Sequence, residues 1–171
     1  LLGGKPLMAH IISTALNSNI FEKVIVSTED EEIAKVASEF GAEVFIRNSK
    51  LAQDSSTVVE VCLDVLRGYQ VDDFCCLYAT SALLSVKTLK ESYNVFQTTK
   101  PSVLMGVSSY NYSPVQALTV DNNGNANLLI EEYRGVQSQY HPKLRVSNGS
   151  LYWAKKQSFI KTIQYQLFYF W

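Results

Sequence analysis

The sequence has no surplus of basic charge and no long apolar run. Fifteen lysine and arginine residues face 16 aspartate and glutamate residues, which gives a formal net charge of -1. That balance does not favour binding along a phosphate backbone, so we expect no nucleic-acid partner. No apolar run reaches the ~20 residues that span a bilayer, and no charged leader opens the sequence. We therefore expect a cytoplasmic protein without membrane contact.

Cysteine is scarce, and the common short motifs of cofactor and metal binding are missing. The three cysteines are Cys62, Cys75 and Cys76. The neighbours Cys75 and Cys76 lie in an apolar run, so their side chains are predicted on opposite faces of a strand. Buried free thiols explain them better than a disulfide or a metal site. There is no GxGxxG, Walker lysine motif, paired CxxC or HExxH, so no such motif assigns a chemistry.

What remains is the composition and periodicity of one globular α/β domain. Hydrophobic residues make up 47% of the 171 residues and charged residues 18%, which excludes a disordered chain. Strands are predicted at 23–28, 43–47, 74–79, 102–110 and 150–155, and helices over 7–16, 31–40, 56–67, 85–98 and 157–161. The alternation predicts a mostly parallel sheet with helices on both faces. The turn signal DNNGN at 121–125 adds a β-hairpin in the second half.

Ligands of such sheets bind outside the carboxyl ends of the strands, so the turns after Thr28, Ala79 and Tyr110 are the places to search. After Thr28, the carboxylates of Glu29 and Asp30 suit a metal or a ribose. The interpretation we favour is that Asp30 caps the next helix and Glu29 faces its dipole.

Two further candidates lie at strand ends. Thr80 and Ser81 follow the strand predicted at 74–79, which is apolar on both faces and therefore expected at the centre of the sheet. Hydroxyls and amides at this point can bind a base or a phosphate, or they can bond their own backbone. Spacing does not decide between the two. Arg47 and the polar loop 51–57 suit a phosphate or carboxylate, with a solvated surface ion pair as the alternative.

The segment before the last strand carries a third group of polar residues. His141 is a candidate acid or base, but beside Pro142 it is better explained as a loop residue, and His10 receives no role. Asn148 and Gly149 are first a turn signal. They also suit a site where an amide meets a ligand and the backbone approaches it closely.

Several stretches, in order, resemble the acylneuraminate cytidylyltransferases. GGKPLMAHIISTALNSNIFEKVIVSTEDEEIAKVASEFGAEV resembles the start of that family, just after its catalytic loop. LAQDSST is similar to its Leu-Ala-x-Asp segment, and LYATSALLS stands at its Pro-Thr-Ser-Pro turn. QSQYHP and SNGSLYWA resemble its Arg-Ser-Gln-x-x-Pro segment and Asn-Gly-x-x-Tyr strand. The resemblance extends to about Phe159. Within the family, the sequence is most similar to the branch that acts on pseudaminic and legionaminic acids.

The resemblance implies a fold, a reaction and a set of ligands. The fold is Rossmann-like, of the nucleotide-diphospho-sugar transferase type, with an antiparallel insertion that forms a homodimer. The reaction moves CMP from CTP to a nine-carbon 2-keto sugar acid, a nonulosonic acid, and releases pyrophosphate with Mg²⁺ as cofactor. By position, Arg47, Thr80 and Ser81 would bind the nucleotide. Gln139, Asn148 and Tyr152 would face the sugar.

The sequence also departs from the family pattern. The family's leading strand and Arg-x-Gly-Ser-Lys loop are expected before Leu1, and its Mg²⁺-binding Asp-x-Asp beyond the last helix. Neither lies within these residues, so we expect the 171 residues alone to be inactive or nearly so, with a gap or a new edge in the sheet.

Other departures lie inside the chain. Ala79 and Ala82 replace two prolines, and Gln137 and Tyr140 stand at an arginine and an aspartate. The alternative function is a non-catalytic paralogue that binds a nucleotide or a partner subunit. The aromatic tail YQLFYFW is expected in a dimer interface.

Overall fold

Strands and helices alternate through the first half of the chain in the computed structural model, which describes residues 1–164. The described α-helices are α1 Leu7–Ser18, α2 Glu31–Glu39, α3 Val58–Arg67, α4 Val86–Thr99 and α5 Lys156–Gln164. The described strands are β1 Ile25–Thr28, β2 Glu43–Ile46, β3 Asp73–Leu77, β4 Val103–Ser109, β5 Leu118–Val120, β6 Ala126–Leu128 and β7 Arg145–Lys155. These elements confirm the predicted α/β class. The aromatic tail lies outside the described residues.

Short polar side chains fix where the helices begin. The Asp30 carboxylate accepts a hydrogen bond from the Ile33 amide at 2.8 Å, which confirms it as the cap of α2. Thr57 and Glu60 form a capping box at the start of α3. The Ser85 hydroxyl accepts from the Thr88 amide at 3.0 Å and begins α4.

The strands form three separate hydrogen-bonded groups. β1 and β2 pair in parallel, with Thr28 opposite Ile46. β3, β7 and β4 form a second sheet in that order, in which β3 and β7 are antiparallel. β5 and β6 form the antiparallel hairpin that the DNNGN turn predicts. Among the described residues, the β1–β2 pair and the three-stranded sheet share no strand.

The larger core lies between α4 and β7. Leu89 and Phe96 are two helical turns apart on α4, and Leu151 and Trp153 point to the same side of β7. All four side chains are buried, and the Trp153 ring stacks on Phe21 with centroids 5.3 Å apart. A second core cluster joins Ile12, Ala37 and Ala42 beside the β1–β2 pair.

The chain divides into two compact units. The first contains Leu1–Met105 and the chain from Gly149 onward, and it includes both core clusters. The second is Gly106–Asn148, which carries the β5–β6 hairpin and several exposed apolar side chains. None of the helices within residues 1–164 combines the length and the apolar character that crossing a membrane requires.

The prediction that Asn148 and Gly149 form a turn is wrong, because both lie inside the 11-residue strand β7. Gly149 has a φ of 63°, in the left-handed region that favours glycine. The turn signal therefore marks an irregularity within a strand, which is the other common use of an isolated glycine in an extended segment.

Candidate functional site

A pocket of about 280 Å³ opens in the first unit beside the end of β2. Its polar lining includes Arg47, which directly follows β2. Its other walls come from the 51–56 loop and from α3, through Leu51, Ala52, Gln53, Ser56, Val58 and Val61. One cationic side chain against a largely apolar wall suits a ligand that has an anionic group and a flat or apolar body.

Arg47 forms an ion pair with Glu29 at the carboxyl ends of the two parallel strands β1 and β2. The Arg47 Nε donates to Glu29 Oε2 at 2.9 Å, and the Arg47 Nη2 donates to the same oxygen. The Arg47 side chain is 21% exposed and that of Glu29 37%. The hydrogen bonds from Arg47 are the largest cause that holds the pKa of Glu29 below its usual range. The ion pair predicted as an alternative for Arg47 is present, and Arg47 lines the pocket while it makes that pair.

Side chains of the loop that lines the pocket donate hydrogen bonds to nearby backbone carbonyls. The Gln53 side-chain amide donates to the Ser49 carbonyl at 3.2 Å, and the Ser56 hydroxyl donates to the Lys50 carbonyl, also at 3.2 Å. Val58, in the first turn of α3, is 44% exposed and lines the pocket.

The turn after β3 holds the next pair of predicted residues. The Ser81 hydroxyl donates to the Ser150 carbonyl at 3.1 Å, and the Ser81 amide donates to the Tyr78 carbonyl at 2.9 Å. Ser81 therefore ties the turn to β7, and Thr80 is exposed beside it. Neither residue lines the Arg47 pocket.

Tyr78 lies where this turn meets β7, and sequence reasoning gave it no role. Its ring centroid is 5.8 Å from that of Tyr152. A Cβ built on Gly149 would lie 3.6 Å from the Tyr78 ring. Burial raises the pKa of the Tyr78 phenol. Ser81 and Tyr152, predicted on opposite sides of the reaction, both contact Tyr78, Ser81 through the Tyr78 backbone carbonyl and Tyr152 through the ring.

The remaining sugar-side candidates lie in the second unit. Gln139 is exposed in a short 3₁₀ turn and bonds Gln137. The Asn148 amide donates to Ser108 at 3.4 Å. His141 contacts the Val136 carbonyl at 3.1 Å, and its ring packs edge-on against Tyr133. These contacts agree with the loop interpretation of His141.

The three cysteines are free thiols, as predicted. Cys75 packs against the α4 core, whereas Cys76 bonds Cys62 on α3, which confirms that the two neighbours face opposite ways. The hydrogen bond with Cys76 and burial both raise the pKa of Cys62, and burial raises that of Cys75. The raised values keep Cys62 and Cys75 protonated and inert, whereas the hydrogen bond with Cys62 lowers the pKa of Cys76.

The described residues do not fit the Mg²⁺ that the resemblance implies. Within residues 1–164, no group of three or more histidine, cysteine, aspartate or glutamate side chains converges to hold a metal ion. Glu29 is engaged by Arg47, and Asp30 caps α2.

Sequence reasoning missed the pairing of Glu29 with Arg47, although its signal was present. Both residues directly follow strands that are successive in the chain, and parallel neighbours end at the same edge. Tyr78 carried a weaker signal, an aromatic residue placed directly before a predicted ligand-binding turn.

Comparison with known proteins identifies the family to which the chain is similar. The sequence pattern of the cytidylyltransferase family matches residues 1–165. The chain is 32% identical over 164 residues to the pseudaminic acid cytidylyltransferase of Campylobacter jejuni, covering 92% of this chain and 71% of that protein. It is 35% identical over 131 residues to the CMP-N,N'-diacetyllegionaminic acid synthase of Legionella pneumophila, covering 73% and 56%.

Solved structures of low identity share the fold. A CMP:2-keto-3-deoxy-manno-octonic acid synthetase complexed with CTP superposes with a TM-score of 0.70 at 14% identity, covering 96% of this chain and 69% of that one. The 4-diphosphocytidyl-2C-methyl-D-erythritol synthase of Anaerococcus prevotii gives a TM-score of 0.65 at 10% identity, covering all of this chain and 69% of that one. The sequence match and the shared fold together show that this chain belongs to the cytidylyltransferase family.

Proposed function

We propose that this chain serves the transfer of CMP from CTP to a nine-carbon 2-keto sugar acid of the pseudaminic or legionaminic type. The observation that carries the proposal is the 32% identity to a pseudaminic acid cytidylyltransferase along 92% of the chain. The Arg47 pocket supports it, since a guanidinium beside an apolar wall suits a nucleotide.

In the proposed reaction, the anomeric oxygen of the sugar acid forms a bond to the α-phosphorus of CTP. The bond from that phosphorus to the oxygen that bridges the α- and β-phosphates breaks, and pyrophosphate leaves with the electron pair. The sugar hydroxyl loses its proton to solvent. Positioning and charge neutralisation supply most of the acceleration in such reactions.

We assign the residues by side of the reaction. Arg47 would contact a phosphate of the nucleotide, and the exposed Thr80 with the Ser81 turn would lie against the nucleotide as well. Tyr152 would present its ring and hydroxyl to the sugar acid. Gln139 and Asn148 of the second unit would add amide contacts to it.

We also propose that the protein is a homodimer that uses the second unit. Its large apolar side chains include Leu118, Val120 and Leu129, each more than half exposed. Exposed apolar area of this kind favours association. Light scattering after size exclusion is expected to give twice the chain mass, and a monomer at high concentration would contradict the dimer.

The test of the proposed function combines binding and turnover. Titration calorimetry of CTP into the chain, with and without Mg²⁺, measures the nucleotide site, and chromatography of mixtures with CTP, Mg²⁺ and pseudaminic acid detects CMP-sugar. We expect Arg47→Ala to weaken CTP binding roughly tenfold, as for loss of a charged hydrogen bond. Arg134→Ala is the matched control, because Arg134 also pairs with a glutamate but on the exposed surface of the second unit.

A non-catalytic paralogue that binds a nucleotide or a partner subunit is the second candidate. It is favoured by Ala79 and Ala82 in the turn after β3 and by Gln137, where the resemblance predicts prolines and an arginine. CTP binding without CMP-sugar in the same experiment would support this candidate. CMP-sugar formation would refute it.

A further inference from the structure

Glu29 holds one defined edge of the Arg47 guanidinium. The Nε and Nη2 groups of Arg47 both donate to Glu29 Oε2. A guanidinium has five N–H donors in a rigid plane, so this contact uses two and leaves three, including both on Nη1. Arg47 lines the pocket while it makes this contact. The carboxylate therefore fixes the plane of the guanidinium without using all its donors.

The backbone on both sides of this ion pair is fixed. The Arg47 amide donates to the Thr28 carbonyl at 3.0 Å, which continues the β1–β2 pairing by one residue. The Asp30 amide donates to the Thr28 hydroxyl at 3.1 Å, and Thr28 is buried. Glu29 thus lies between a buried strand end and a helix cap. Its backbone position is therefore fixed, which limits where its carboxylate can contact Arg47.

A second polar group at the same strand end lacks a partner. The Ser27 hydroxyl is buried, and no described group within residues 1–164 bonds it. The end of β1 therefore combines an unsatisfied hydroxyl with a half-used guanidinium. Both groups can still bind a ligand, and buried polar groups without partners are few in native structures.

We propose that Glu29 is a positioning residue for nucleotide binding, which sets the Nη1 edge of Arg47 toward a phosphate group in the pocket. The inference rests on the proposed function, because the phosphate is that of a cytidine nucleotide. A free arginine side chain loses considerable rotamer entropy when it binds, and a fixed carboxylate removes part of that loss beforehand. The opposite arrangement, in which Glu29 occupies the place of the phosphate, predicts that removing Glu29 tightens binding.

A double-mutant cycle separates these cases. CTP affinity is measured by titration calorimetry for the wild type, Glu29→Ala, Arg47→Ala and the double variant. We expect Glu29→Ala to weaken binding roughly fivefold, and the double variant to bind no more weakly than Arg47→Ala alone. Glu29→Gln, which keeps an oxygen acceptor, should lose less. Additive losses, or tighter binding by Glu29→Ala, would overturn the proposal.

Glu43→Gln is the control within the same sheet. Glu43 lies at the other end of β2 and also has a lowered pKa, through hydrogen bonds from Lys23 and Tyr69. It does not line the pocket. We expect unchanged CTP affinity for Glu43→Gln, and a fivefold loss there would show that any lost ion pair on β1–β2 has the same effect and so overturn the proposal.

A second measurement keeps the proposal separate from the proposed function. In a ¹⁵N spectrum of arginine side chains, the Nε–H signal of Arg47 should be sharp in the wild type and broadened by exchange in Glu29→Ala, which removes its acceptor. A wild type that binds no CTP would refute the proposed function and, with it, the role of Glu29 toward a nucleotide. An Nε–H signal that Glu29→Ala leaves unchanged would overturn the positioning of Arg47 whatever the binding result.

Discussion

Replacement of Gly149 by alanine tests how β7 is built beside the candidate sugar-side residues. Gly149 has a φ of 63° within a strand, a conformation that costs an L-residue about 1–2 kcal/mol. An added Cβ would lie 3.6 Å and 3.7 Å from two ring atoms of Tyr78, which is ordinary van der Waals contact. The backbone therefore supplies the whole penalty, and the expected loss of unfolding free energy is about 1–2 kcal/mol.

Urea unfolding followed by circular dichroism measures that loss. For a chain of this size, each kcal/mol corresponds to a fall in Tm of roughly 2–4 °C, so thermal unfolding gives a second reading. Gly149→Asn should lose less than Gly149→Ala, because asparagine enters the left-handed region more readily.

Gly124→Ala is the matched control for Gly149→Ala. Gly124 has a φ of 84°, and a Cβ there would have no neighbour within 4 Å, so its penalty should be similar. An unchanged urea midpoint for Gly149→Ala would refute the left-handed backbone at that residue. A loss several times larger than that of Gly124→Ala would show that the Tyr78 ring cannot accept the methyl group.

Three further predictions follow from buried or charged groups of the first unit. Ser92→Ala removes the acceptor of the buried Trp153 indole N–H, a 2.9 Å bond, and should cost about 1–3 kcal/mol in urea unfolding; an unchanged midpoint would contradict the bond. Cys62 and Cys75 should react with iodoacetamide at pH 8 far more slowly in the folded chain than in urea, because the hydrogen bond with Cys76 and burial raise the pKa of Cys62 and burial raises that of Cys75; equal rates would refute this. The pKa of Glu29 is lower in the folded than in the unfolded chain, so its stabilisation is present above about pH 4.3 and is lost as pH falls through the folded value. Glu29→Gln should therefore flatten the fall of Tm between about pH 5 and pH 3, and an identical Tm profile would contradict the ion pair.

The elements that the sequence predicted best are those whose signals are local. Asp30 is identified as a cap because a short polar side chain before an apolar helical stripe needs nothing from the rest of the fold. The opposite directions of Cys75 and Cys76 follow from strand geometry alone. The hairpin at 121–125 follows from its turn residues.

The features that the sequence did not reveal depend on which strands are neighbours. The pairing of Glu29 with Arg47 requires that β1 and β2 be adjacent and in register, and helical and strand periodicities do not specify adjacency. The role of Ser81 as a tie to β7 requires the antiparallel pairing of β3 with β7. Gly149 was misjudged because asparagine followed by glycine has the same composition in a turn and in an irregular strand.

The antiparallel pairing of β3 with β7 has a consequence for the order in which the chain folds. β1, α2 and β2 are consecutive, so their pairing closes only a short loop. Leu77 meets Leu151 only after the whole chain between them has been enclosed, and loop-closure entropy opposes that step. Asn148 bonds Ser108, which brings the two ends of the second unit together. Early folding of that unit would shorten the effective loop, so we expect it to speed formation of the Trp153 core, although it contributes no side chain to the buried cluster.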